Sequence, residues 1–130
     1  MKPATDFASL LEGFFTKRLM SQRRASPHTI ASYRDTFRLL LIFTEKRLRR
    51  PPSALPFDAL NAPLILTFLD QLEAKRSNSA RSRNVRLAAI RSFYRYAALE
   101  APEHAALIQR VLAIPCKRHT RAMIDFLVRS

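Results

Sequence analysis

The sequence predicts an all-α fold, a compact bundle of four main helices plus a short fifth, and three observations carry this expectation. Apolar residues recur three and four positions apart along most of the chain, the spacing that lines one face of a helix. Gly13 is the single glycine among 130 residues, whereas β-hairpins and phosphate-cradling loops rely on glycine. The eight prolines fall largely between the periodic stretches and punctuate them.

The first helix is expected from about Asp6 to Met20, with Phe7, Leu10, Leu11, Phe14 and Phe15 at helical spacing behind a Thr5 or Asp6 cap. Ser26-Pro27 opens the second, since serine is a favoured cap and proline at the first helical position loses no bond. That helix runs to about Lys46 with Ile30, Tyr33, Phe37, Leu40 and Leu41 on one face, and Leu39 and Ile42 widen the stripe. Arg47 to Phe57 holds three prolines and three arginines, which predicts an exposed basic loop.

Asn61 can cap a third helix, Ala62 to Lys75, that buries Leu64, Ile65, Phe68, Leu69 and Leu72. Ser77-Asn78-Ser79 caps a fourth, which runs to about Leu99 with Leu87, Ile90, Tyr94 and Ala97 inward and Phe93 flanking them. A fifth, shorter helix spans about Glu103 to Leu112, and Pro115 to Arg121 is expected to be basic and extended. Met123, Ile124, Phe126 and Leu127 make a final apolar turn that points to a larger parent protein.

Length fits one domain, and an apolar fraction of 48% excludes a disordered basic tail. Against 10 Asp and Glu stand 23 Lys and Arg, a net charge of +13 that calls for a polyanionic partner. Most of these cations are arginine, whose planar fork grips phosphate and guanine edges, and this favours nucleic acid over membrane. Cys116 is the sole cysteine, so no internal disulfide forms, and a cytoplasmic setting is expected. His28, His104 and His119 stand apart, so neither a metal nor another cofactor is expected, and no apolar run is long enough to span a bilayer.

Three basic constellations are candidates for contact with nucleic acid. At the start of the second helix, Arg23, Arg24, Ser26, His28, Thr29, Ser32 and Arg34 surround a helix amino terminus, whose free N–H groups and partial positive charge suit phosphate. Along the fourth helix lie Arg81, Arg83, Asn84, Arg86, Arg91 and Arg95, with no acidic residue between Ala74 and Leu99. A helical wheel turns Arg81, Asn84, Ala88, Ser92 and Arg95 outward, and places Arg83 and Arg86 nearer the core. The third set is the basic connections, Arg47, Arg49 and Arg50, and later Lys117, Arg118 and Arg121. Each has a plainer reading, as solvated charge or as arginine stems covering apolar surface.

No catalytic residue is expected in the chain. Tyr33 and Tyr94 fall on inward faces, Tyr96 lacks a base, and Asp70 and Glu73 suit pairing with nearby arginine.

In Ser26-Pro27-His28-Thr29-Ile30 with Tyr33-Arg34 and Phe37, in Leu60 to Leu72, and in the stretch from Arg86 to Tyr94, the chain resembles the amino-terminal, SAM-like core-binding domain of phage integrases and other tyrosine recombinases. The resemblance covers roughly Phe7 to Arg118, and Ile114 to Arg118 looks like the family's connection to its catalytic domain. It implies a core-binding DNA domain over residues 1–118, and a linker over 119–130 toward a catalytic domain absent from this chain. It further implies that the second and fourth helices approach the major groove, and that other recombinase protomers are partners. The family's catalytic His-x-x-Arg does not occur here. Two other readings stay open on the residues alone, a free-standing helical DNA-binding regulator and a protein-interaction module.

Overall fold

The computed structural model describes residues 6–22, 24–75 and 80–117, and among these every regular element is helical. Helix α1 (Phe7–Gly13) starts at Asp6, whose Oδ1 accepts the Ser9 amide at 2.7 Å. It continues into a wider, π-helical stretch, Phe14–Gln22. Winding with i→i+5 bonds brings residues five apart onto one side. Phe14 and Leu19 are both fully buried in this way, so the stretch feeds the core where α-helical spacing would have turned Leu19 aside.

Helix α2 (Pro27–Leu48) is two residues longer than the spacing predicted, and it closes at Arg49 in the left-handed region. Its buried hydroxyls, Thr36 and Thr44, donate back to the carbonyls of Ser32 and Leu40 at 3.2 and 2.8 Å, which leaves neither unsatisfied. Helix α3 (Ala62–Lys75) is capped by Asn61 as expected, with Oδ1 accepting the Leu64 amide at 3.1 Å. Helix α4 (Ala80–Glu100) packs against α2, α3, α5 and the π-helical stretch. A 3-10 turn, Pro102–His104, leads into α5 (Ala105–Leu112). The expected Ser77–Ser79 cap of α4 and everything from Arg118 onward lie outside the described residues.

Two expectations are corrected. The connection after α2 is more than an exposed basic loop: 3-10 turns at Pro52–Ala54 and Phe57–Ala59 lay Leu55, Phe57 and Leu60 into the core. Phe57 packs on His104 at 4.9 Å and on Tyr94 at 5.7 Å, and the buried Tyr94 hydroxyl donates to the Leu60 carbonyl at 2.7 Å. Burial pushes the Tyr94 phenol far above its ordinary pKa and keeps it a neutral donor.

Phe93, in turn, is the hub of the core and not its flank. Its ring centroid lies 5.3 Å from Phe7, 5.6 Å from Phe14 and 5.4 Å from Phe37, each in edge-on geometry. Edge-to-face pairs add about 0.5–1.5 kcal/mol beyond burial. One side chain of α4 thereby ties together α1, its π-helical continuation and α2.

Candidate nucleic-acid interface

A 22-residue helix spans about 33 Å, so α2 presents its amino terminus well away from the Arg47–Arg50 connection. At that terminus Ser26 caps: its Oγ accepts the Thr29 amide at 3.1 Å and donates to Thr29 Oγ1 at 3.0 Å. The two hydroxyls are thus engaged with each other. His28 is exposed, and so are Arg24 and Arg34, neither of which has an ion-pair partner among the described residues. Arg23 lies outside them.

Where α2 passes α4, Ser32 and Asp35 face Arg81, Ser82, Val85 and Arg86 across an open groove of about 260 Å³. Three residues singled out in the sequence, Ser32, Arg81 and Arg86, therefore meet in one place. Arg86 donates to Asp35 Oδ2 at 2.8 Å and to Thr36 Oγ1 at 3.1 Å, a strut between the two helices. Asp35 also faces Arg38 at 3.6 Å. The Arg86 hydrogen bond, reinforced by both guanidinium charges and opposed by partial burial, holds the Asp35 carboxyl below its ordinary pKa. A strut between residues 51 apart in sequence left no local signal there.

The remaining candidates of α4 divide. Arg81 and Arg95 are exposed and make no ion pair among the described residues. Arg83, only 9% exposed, turns instead toward Asp70 at 3.9 Å and Glu73 at 3.6 Å on α3. Asn84 and Arg91 hold the segment that follows α5: Asn84 pairs with the backbone of Lys117 at 2.7 and 2.8 Å, and Arg91 donates to the Ile114 carbonyl and to Cys116 Sγ. Lys117 Nζ meets Glu73 at 2.8 Å. Arg83 and Arg86 thus have carboxylate partners, and for Asp70 and Glu73 pairing with nearby arginine is what the sequence led one to expect; Arg118 lies outside the described residues.

A second hollow, about 320 Å³ between α2 and α3, is lined by Leu39, Ile42, Phe43, Phe68 and Leu72 with Lys46, Arg47 and Gln71. Its mostly apolar wall suits phosphate less well than the groove between α2 and α4. Among the described residues no group of three or more His, Cys, Asp or Glu could hold a metal, and no helix is long and apolar enough to cross a membrane.

Residues 13–101 match the family model described as the N-terminal SAM-like domain of phage integrase. Two proteins of Sinorhizobium fredii (strain NBRC 101917 / NGR234), y4rC and y4rD, whose names infer an integrase/recombinase role, are 63% and 47% identical to the chain. The alignments cover 99% and 95% of this chain, but 39% and 47% of those proteins, so the chain spans less than half of either relative. No solved structure matches the chain.

Proposed function

Because the chain belongs to the phage integrase family, matching its N-terminal SAM-like domain, we propose that it binds double-stranded DNA and positions a site-specific recombinase on its target. The observation that carries this reading is the groove between α2 and α4, lined by Ser32 on one side and on the other by Arg81, which makes no ion pair among the described residues. The exposed Arg24, Arg34 and Arg95 extend the basic surface on the same two helices and their approach. Cations of this kind hold phosphate oxygens and set register, while sequence is read by side chains reaching base edges.

On this reading the chain contributes affinity and placement, and strand breakage belongs to other residues of a longer recombinase. The partners are duplex DNA, further recombinase protomers and a catalytic domain. Arg83, Arg86, Asn84 and Arg91 serve the domain's own architecture, which narrows the interface to the residues left facing solvent.

Fluorescence anisotropy with a labelled duplex tests the proposal. If roughly 6–10 phosphates are contacted, affinity falls by about three to five orders of magnitude between about 50 and 200 mM salt. Binding that is absent, or indifferent to salt, overturns it.

A further inference from the structure

We propose that Asn84 and Arg91 are positioning residues, a clamp that fixes the direction in which the chain leaves this domain relative to bound DNA. The relation to DNA rests on the function proposed above, whereas the clamp itself does not. Asn84 and Arg91 are seven residues apart on α4, two helical turns, so they project from one face about 10 Å from each other. Ile114 and Lys117, three residues apart in irregular backbone that follows α5, span about 10 Å when extended. The two spacings match, and the pairing is antiparallel: Arg91 takes the Ile114 carbonyl, and Asn84 takes Lys117.

The Asn84 contact is specific in form. Its Nδ2 donates to the Lys117 carbonyl at 2.7 Å while its Oδ1 accepts the Lys117 amide at 2.8 Å, so one side-chain amide satisfies both backbone groups of a single residue. Lys117 Nζ is held at 2.8 Å by Glu73, which also faces Arg83 at 3.6 Å, so α3 joins the clamp. Ile114, 3% exposed, anchors the near end in the core.

Because the pairing is antiparallel, the segment runs toward the amino end of α4. There, one turn from Asn84, stands Arg81 in the proposed DNA groove. A single rigid helix therefore carries both the DNA contact and the chain's exit. Whatever follows Lys117 is launched from a point registered to the duplex.

The native thiol of Cys116, exposed and the sole cysteine of the chain, accepts a nitroxide label without further substitution; the label takes up the sulfur that Arg91 also contacts, so the spectrum reads the clamp through the bonds to Lys117 and Ile114. An immobilised electron paramagnetic resonance spectrum is expected for the otherwise unaltered chain. Asn84→Ala, and Asn84→Ala with Arg91→Ala, should each add a fast component and raise the rate of tryptic cleavage after Lys117 by about tenfold, as loss of paired hydrogen bonds implies. Asn84→Asp, which keeps the acceptor and loses the donor, should fall between, and unchanged far-ultraviolet circular dichroism confirms that the helices persist. Unchanged spectra and cleavage rates in these variants overturn the clamp.

The duplex arm separates the clamp from the DNA reading. Asn84→Ala should leave duplex affinity within about twofold, as expected for a side chain off the contact surface. A large loss of affinity with an unchanged spectrum would make Asn84 a DNA contact and overturn its positioning role. If the unaltered chain binds no duplex, the proposed function fails while the spectra still decide the clamp.

Discussion

The Tyr96 hydroxyl occupies the place where a side chain on Gly13 would begin: a Cβ built there lies 2.5 Å from Tyr96 Oη. The chain's single glycine is therefore explained by a close approach, and its φ is not positive. Replacing a helical glycine by alanine ordinarily adds about 0.5–1 kcal/mol of stability. Here the ring that must move is 5% exposed and covered by Arg18 at 5.7 Å, and overpacking of that kind costs about 1–3 kcal/mol.

Gly13→Ala should accordingly lower the thermal midpoint. In a Tyr96→Phe background the nearest ring carbons leave ordinary contact, at 3.5 and 3.8 Å, so the same substitution should become neutral or stabilising. Thermal unfolding of the four proteins in this cycle measures the coupling. Stabilisation by Gly13→Ala in the unaltered background would refute the contact.

Asp35 gives opposite signs for stability and affinity. Its folded-state pKa is depressed, so its contribution is present above the unfolded value, ordinarily about 3.9, and is lost as pH falls through the folded value. Asp35→Asn should therefore be less stable than the parent at pH 7, with the difference shrinking in denaturant titrations below about pH 4. The same change removes a carboxylate from the groove and releases Arg86, so duplex affinity should rise several-fold at low salt. Weaker DNA binding by a folded Asp35→Asn would count against the groove.

Helix positions and the core faces were legible because burial imposes periodicity, and caps at Asp6, Ser26 and Asn61 follow from side-chain chemistry acting over three residues. What escaped was non-local. A period of 3.6 assigned Leu19 no place, since π-helical winding is set by packing, and it could not show that Phe93 is met by rings from three other segments. The candidate site was legible as two basic helices. Which arginines remain free depends on carboxylates 13 and 51 residues away in sequence, such as Asp70 for Arg83 and Asp35 for Arg86.

Arg49 closes α2 with φ 58° and ψ 41°, its amide donating to the Glu45 carbonyl at 2.7 Å. An L-residue in this left-handed region costs about 1–2 kcal/mol, which glycine avoids at some expense in unfolded-state entropy. Arg49→Gly should thus be more stable than Arg49→Ala by about 1 kcal/mol, a comparison in which both variants lose the same charge near the helix carboxyl terminus. Equal unfolding midpoints in urea for the two would show that the left-handed cap is not retained.

Arg81 and Arg83, two residues apart on α4, should separate binding from stability. Arg81 is exposed, so Arg81→Ala should change stability by no more than about 0.5 kcal/mol, while weakening duplex binding and reducing the slope of log affinity against log salt by about one. Arg83 is buried, but Asp70 opposite it is 71% exposed and can rehydrate, so Arg83→Ala should cost about 1–3 kcal/mol, less than a fully buried pair. Arg83→Met keeps the apolar stem and discards the charge, which should restore much of that stability and leave the salt slope unchanged. Equilibrium unfolding and salt-dependent anisotropy on the same preparations measure both quantities. A folded Arg83→Met that lost as much salt slope as Arg81→Ala would show that the guanidinium leaves Asp70 and Glu73 to meet phosphate.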